Sequence, residues 1–166
     1  MADNFSACGG DPTGTWTIQE VCLSDGSIGA DPFNGMCDGS SFVVDVAVTG
    51  TVTFADGKIT PNTVTESTIT MHVPKVCIGG QGCEAIASGE DGWSCDDGGD
   101  ACDCTKVETK ADDDSDISDY VVEGNDLVST QNGESKHLPF CIEGRTITIS
   151  VPSDPGKPAF YYTATK

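Results

Sequence analysis

Apolar and polar residues alternate over a long stretch of this chain, and the longest alternation predicts a β-strand over Val44–Phe54. The even positions of this run are apolar except for Gly50, whereas the odd positions, beginning with Asp45, are mostly polar. A period of two puts the apolar side chains on one face of a strand. Gly50 predicts a bulge or a sharp bend in that strand. Asp56-Gly57 follows directly and predicts a tight hairpin turn.

The same alternation recurs further along and predicts an all-β fold. No window shows the apolar spacing of an amphipathic helix, and the short turns between strands favour an antiparallel up-and-down barrel of about eight to ten strands, without a major helix. Two stretches lack the pattern: Gly89–Cys104 predicts a disulfide-pinned loop, and the aspartate-rich Ala111–Asp119 predicts a solvated loop. The further predicted strands are Lys58–Val64, Ile69–Val73, Tyr120–Val122, Leu127–Val128, Leu138–Ile142, Ile147–Val151 and Phe160–Ala164.

The inward-facing apolar residues are the candidate ligand-binding residues of such a barrel. A barrel of this size either fills its interior with side chains or holds one small ligand. Because these residues are mid-sized and no polar groups converge among them, a solid core remains an alternative. The predicted interior residues are Trp16, Ile18, Val44, Val46, Val48, Phe54, Ile147 and Ile149.

Nine cysteines in 166 residues indicate an oxidising compartment. Cys8 stands apart, and the other eight can form four disulfides. Zinc is the alternative, but the spacings differ from those of structural zinc sites. Local spacing predicts Cys77–Cys83 and one bridge within Cys95–Cys104; elimination leaves Cys22 with Cys37, and Cys141 with Cys102 or Cys104.

The charge limits the partners that this chain can have. Twenty-seven acidic residues against 8 Lys and Arg give a net charge of −19, which repels nucleic acids and anionic lipid headgroups. No apolar run is long enough to span a membrane, so membrane contact requires a lipid anchor. The residues before Cys8 are too few and too polar for a signal peptide.

The acidic loop is a candidate calcium site. Asp112, Asp114 and Asp116 offer carboxylates at alternate positions, and Glu123 stands where the last ligand of an EF-hand loop would be. Ile117 occupies the position where that loop needs glycine, so a solvated acidic loop is the alternative. No other cofactor is predicted.

Catalytic motifs are absent from the sequence. It contains no nucleophile elbow, zinc-protease motif or phosphate-binding glycine loop. His72 is predicted to face solvent because it lies opposite the apolar phase of its strand, and His137 has no partner that the sequence places beside it. We therefore expect a protein without enzymatic activity.

The start of the chain resembles a known family. Cys8–Pro12, with the sequence CGGDP, precedes Gly14–Trp16, with the sequence GTW. This resembles the lipocalin-like (calycin) barrels, and more closely the cysteine-rich lipocalin-like lipoproteins of myxobacteria and their relatives. The resemblance implies a tether over residues 1–12 with a lipid on Cys8, a single barrel domain over 13–166, and Arg145 packed over Trp16.

The function implied by the resemblance is that of an extracytoplasmic lipoprotein, on a bacterial outer membrane or cell surface or secreted, that binds or carries a small hydrophobic ligand. The alternative is a non-catalytic structural or protein-interaction subunit with a solid barrel and a surface protein partner. A cavity with a bound small molecule would distinguish the first from the second.

Overall fold

The structure, a computed structural model, describes residues 5–23, 37–88, 92–112, 116–152 and 160–166. Within these ranges the chain forms ten β-strands, one turn of 3-10 helix at Lys75–Ile78 and one short helix, α1, at Glu84–Ala87. The strands are β1 (Gly14–Leu23), β2 (Ser41–Ala55), β3 (Lys58–Pro74), β4 (Trp93–Asp97), β5 (Ala101–Ala111), β6 (Ser118–Glu123), β7 (Asp126–Gln131), β8 (Glu134–Glu143), β9 (Thr146–Val151) and β10 (Phe160–Thr165).

Eight of the strands form a closed antiparallel barrel, which confirms the predicted fold class. Their order is β2, β1, β10, β9, β8, β7, β6 and β3, and pairing of β2 with β3 closes the ring. The remaining strands, β5 and β4, follow β3 in the strand order and lie outside the barrel. The stretch 89–104, predicted as a loop, instead contains β4 and the start of β5, which pair in antiparallel register.

Tight turns set the register of the hairpins. Asp56 and Gly57, at φ of 53° and 72°, join β2 to β3 as predicted. Asn132 and Gly133, at φ of 52° and 82°, make a second turn of this kind between β7 and β8. Two consecutive positive φ values are what a two-residue hairpin turn of type I′ requires. This second turn was not predicted from the sequence, and β8 begins at Glu134 rather than at the predicted Leu138.

Gly50 occupies a position in β2 where only glycine fits. Its φ is 117°, in a region that residues with a side chain rarely adopt. A Cβ at this position would lie 2.3 Å from the main-chain oxygen of Asn62 on β3. The ladder between β1 and β2 runs from Gly14↔Phe54 to Thr17↔Thr51, and so stops immediately before Gly50. The positive φ and the end of this ladder mark Gly50, while the bulge or sharp bend expected there stays a prediction.

The chain divides into two compact units. The first comprises residues 1–26, 47–65 and 110–166, and the second comprises residues 27–46 and 66–109. The first unit has an apolar core to which β1, β2, β7, β8, β9 and β10 all contribute. Its buried members are Trp16, Val52, Phe54, Leu127, Phe140, Ile147, Ile149 and Ala164.

The second unit combines a small apolar core with most of the disulfides. Met71 and Val73, on β3, are buried together with Cys83, Cys102 and Cys104, and partly buried residues such as Phe42 and Trp93 pack against them. This small core is cross-linked by three disulfide bonds, which are Cys37–Cys77, Cys83–Cys102 and Cys95–Cys104. Disulfides commonly supplement a small core in this way.

The disulfide pairing corrects several expectations from the sequence. Cys8 is bonded to Cys141, so its thiol is not available to carry the predicted lipid. The unpaired cysteine is Cys22 instead. The bridge predicted within Cys95–Cys104 is confirmed, because these cysteines face each other in the β4–β5 ladder. The predicted pairs Cys77–Cys83, Cys22–Cys37 and Cys141 with Cys102 or Cys104 are wrong, because spacing along the chain does not reveal which strands are neighbours.

The N-terminal segment, predicted as a tether, lies along β8 in its described part. The amides of Cys8 and Gly9 both donate to the main-chain oxygen of Phe140 at 3.0 Å, and the amide of Ile142 donates to that of Gly9 at 3.0 Å. The side-chain amide of Asn125 donates to the oxygen of Ala7 at 3.1 Å. Together with the Cys8–Cys141 bridge, these bonds make the segment part of the first unit.

Candidate functional site

An open cavity of about 290 Å³ lies within the first unit, beside its buried core. Ile18, Ile59 and Tyr162 belong both to its lining and to the half-buried residues that pack on that core. The packed core therefore closes one side of the cavity. The lining is mostly apolar and consists of Ile18, Val21, Val48, Val52, Ile59, Pro61, Thr63, Thr65, Asp116, Phe160 and Tyr162.

The pairing of β1 explains why the space lies here. β1 pairs with β2 only as far as Thr17↔Thr51, and from Thr17 onward it pairs with β10. Beyond this point the lining residues of β1 and β2 face a common space, because the ladder that joined the strands has ended. Gly50 lies between Val48 and Val52 in the inward phase of β2 and adds no side chain to fill that space.

Polar groups are gathered on the β3 side of the cavity. The amide of Thr63 donates to Oδ2 of Asp112 at 2.8 Å, the Thr63 hydroxyl donates to the same oxygen, and the amide of Asp112 donates to the oxygen of Thr63 at 3.1 Å. These hydrogen bonds hold Asp112, the residue that follows β5, against β3. Asp116, four residues later, has its side chain 28% exposed and lines the cavity. Among its described residues, the site thus combines an apolar body with one carboxylate.

Tyr162 brings a phenol into the apolar lining. It is half-buried and lies on β10, opposite Val21 of β1. Burial raises the pKa of the Tyr162 hydroxyl above its usual range, because removal of water disfavours the phenolate.

This shift predicts a loss of stability in alkali. An unfolded tyrosine ionises near pH 10, whereas Tyr162 in the folded protein ionises only at higher pH. The unfolded state therefore loses its proton first, so the free energy of unfolding falls as the pH rises above about 10. Tyr162→Phe should show a shallower decline than the wild type in urea titrations at pH 9 to 11. Equal slopes for the two proteins would contradict this assignment.

Trp16 lies in the core of the first unit rather than in the cavity lining. Its indole nitrogen donates to the oxygen of Pro12 at 2.6 Å, and the side chain is 1% exposed. The cation over its ring is the Lys166 ammonium, at 4.3 Å from the ring centroid. Arg145, which the family resemblance would place there, instead donates from Nε to the main-chain oxygen of Lys166 at 2.7 Å.

The predicted interior residues have three different locations. Trp16, Phe54, Ile147 and Ile149 are in the buried core. Ile18 and Val48 line the cavity. Val44 and Val46 are half-buried and belong to the second unit, so the structure does not bring them to this site.

Most of the cavity lining was not predicted from the sequence. Val52, Phe160 and Tyr162 stand in the inward phase of predicted strands, and their alternation was the available signal. Pro61 and Thr65 carry no signal of their own, because they line the cavity only through the course of β3.

A second cavity, of about 230 Å³, lies on the outer face of β8 and β9. Its lining residues Cys141, Glu143, Thr146 and Thr148 alternate along these strands with the buried Phe140, Ile147 and Ile149. It therefore lies outside the barrel wall, where Phe5 and Ser6 of the N-terminal segment complete it. Its mixed polar lining makes it a weaker candidate than the first cavity.

The candidate calcium residues do not form a metal site among the described residues. Asp114 lies outside them, Asp112 accepts hydrogen bonds from Thr63, and Glu123 is exposed at the end of β6. In the part of the chain that the structure describes, no three His, Cys, Asp or Glu side chains are grouped so that they could hold a metal ion.

Both histidines are paired with aspartates at the surface. Nδ1 of His72 lies 2.6 Å from Oδ1 of Asp103, and Nδ1 of His137 lies 3.4 Å from Oδ2 of Asp126. His72 is partly exposed, with 44% of its side-chain surface accessible. Neither histidine belongs to the lining of the candidate cavity.

Within the described ranges, no helix is both long enough and apolar enough to cross a membrane. The closed antiparallel barrel is compatible with a lipocalin-like fold. Comparison of the chain with protein-family models, with curated protein sequences and with solved structures finds no match.

Proposed function

We propose that this protein binds a small, mainly apolar molecule, without chemical conversion, in the open cavity of its first unit. The observation that carries the proposal is the cavity itself: an apolar space of about 290 Å³ beside a core that is otherwise buried. Sites for small molecules in proteins are concave, mostly apolar and equipped with a few polar groups. This cavity has those properties.

The volume limits the size of the ligand. Typical small-molecule pockets measure about 300 to 1,000 Å³, so this one lies at the lower limit. A molecule of about ten to twelve non-hydrogen atoms suits such a space. Because Phe54, Phe140 and Ile149 fill the core beside it, a long acyl chain could not continue deeper into the barrel.

The disulfides support a compartment for this function. Four bridges in a chain of this length are consistent with an oxidising, extracytoplasmic location. We propose that the protein works there, as a secreted or surface-associated binding protein. A lipid on Cys8 is not part of this proposal, because the Sγ atom of Cys8 is bonded to Cys141.

A substitution that fills the cavity tests the function. Val48 is half-buried in the lining, whereas its neighbour Thr49 is exposed on the opposite face of β2. Val48→Trp should weaken binding of the neutral probe 3-methylindole at least about tenfold, because the indole of the new side chain takes its place. Thr49→Trp is the matched control and should leave the affinity unchanged. Both affinities can be measured by titration calorimetry.

Two outcomes would contradict the proposal. Either the wild type binds neither 3-methylindole nor its positively or negatively charged analogues up to millimolar concentration, or Val48→Trp and Thr49→Trp bind 3-methylindole equally well. The first outcome would favour a solid barrel that works by meeting a protein partner, and the second would place the bound probe elsewhere.

A further inference from the structure

We propose that the natural ligand of this cavity is a small organic amine, with its apolar body among the valines and isoleucines and its ammonium group toward Asp116. This inference rests on the proposed function and adds the charge of the ligand to it. The observation behind it is that Asp116 is the one charged side chain among the described residues of the lining. Among the described residues that line the cavity, no side chain is basic.

Asp116 is placed so that a ligand would cover it. Its side chain is only 28% exposed, and the lining puts it in the same cavity as Phe160 and Tyr162. Nζ of Lys110 lies 3.9 Å from Oδ1 of Asp116, while the lysine side chain is 74% exposed. The lysine charge therefore stays mostly in water. Asp116 has a further partner within the protein besides Lys110, and the two oxygens of a carboxylate offer about four acceptor sites, so an ammonium group would bind in addition to these partners.

The chemistry of the site disfavours an anion. A carboxylate ligand in this space would bring a second negative charge close to Asp116 in surroundings of low polarity. The net charge of −19 would also slow its approach. These two effects exclude fatty acids and other acids as the preferred class.

A neutral apolar ligand is also a poorer match than an amine. It would remove water from the Asp116 carboxylate and offer no hydrogen bond in return, which is costly for a charged group. An ammonium group replaces that water with a charge-assisted hydrogen bond, the stronger kind in proteins. The apolar body gains the same burial in both cases.

The test compares three probes with nearly the same indole body: tryptamine, 3-methylindole and indole-3-acetate. These are positive, neutral and negative at pH 7, and their sizes suit the cavity. In calorimetry at low salt, the wild type should bind tryptamine at least about tenfold more tightly than indole-3-acetate. The preference should shrink as salt is added, because ions screen the charge of Asp116.

Asp116→Asn should weaken tryptamine binding at least about tenfold and should not weaken 3-methylindole binding, because the neutral probe no longer has to remove water from a carboxylate. Retained binding of the neutral probe shows that the variant is folded. The matched control is Asp119→Asn, which removes the same charge from a side chain that is 71% exposed, paired with Lys58 and outside the lining. This control should keep the full preference for tryptamine.

The outcomes separate the two proposals. Equal affinities for the three probes, or equal effects of Asp116→Asn and Asp119→Asn, would overturn the amine inference and leave the binding function standing. Failure of all three probes to bind the wild type would overturn the binding function itself. Tighter binding of indole-3-acetate than of tryptamine would assign the site to acids and refute the inference.

Discussion

Gly50→Ala is expected to lower the free energy of unfolding by at least about 3 kcal/mol, because two penalties act at the same residue. The first is conformational: at φ of 117°, a residue with a side chain is strained. The second is steric: the added Cβ would lie 2.3 Å from the oxygen of Asn62 and 2.8 Å from Cα of Thr63. Both atoms are main chain, so β2 and β3 would have to move apart.

Gly144→Ala separates the two penalties. Gly144 has a positive φ of 62°, but a Cβ there would have no atom within 4 Å, so only the conformational cost applies. That cost is about 1 kcal/mol. Urea unfolding of the two variants and the wild type measures the difference. Equal losses for Gly50→Ala and Gly144→Ala would show that β2 and β3 relax around the new methyl group.

Removal of the Cys8–Cys141 bridge should have an effect of similar size. It joins cysteines 133 positions apart, so it restricts the unfolded chain strongly. In the chain-entropy treatment, a loop of this length stabilises the folded state by about 5 kcal/mol. The other three bridges lie within this loop and already shorten it. We therefore expect Cys8→Ala with Cys141→Ala to lose about 3 to 4 kcal/mol.

Cys22→Ala is the control for the pair, because Cys22 is unpaired and closes no loop. Thiol titration in denaturant checks the connectivity directly. The unreduced wild type should show one reactive thiol, and Cys8→Ala should show two, from Cys22 and Cys141. In the native state Cys22 should react slowly, since the hydrogen bond that its thiol donates to the Glu20 side chain raises the pKa of the thiol. A single thiol in denatured Cys8→Ala would show that Cys8 is not bonded to Cys141.

The sequence carried enough information to predict the strands and the class of fold. Period-two alternation predicted β2, β9 and β10, and Asp56-Gly57 predicted the turn that the positive φ values confirm. The prediction of a loop over 89–104 was wrong for a local reason. In the stretch 89–104, glycines, aspartates and cysteines hid the alternation, although Cys102 and Cys104 are buried on one face of β5. The face of that strand is lined by sulfur rather than by hydrocarbon.

The site was predictable only in part, because periodicity gives the face of a strand and not the position along it. Val44, Val46 and Val48 share one face of β2, yet only Val48 reaches the cavity. Asp116 was singled out as an ion ligand for its spacing, while its place in an apolar lining depends on the fold. Most of the disulfide predictions were wrong for the same reason. Cys8 and Cys141 meet only because the N-terminal segment lies along β8.

The way in which β1 joins the barrel has a consequence for how the chain folds. Thr17 of β1 pairs with Thr165 of β10, so two strands that are distant in sequence must meet before the ring can close. Contacts between distant segments slow folding, and barrels dominated by them fold in milliseconds to seconds. Until β10 pairs with it, this edge of β1 leaves its main-chain N–H and C=O groups open to pairing with other chains. Slow closure and a risk of aggregation during synthesis are therefore built into the topology of this barrel.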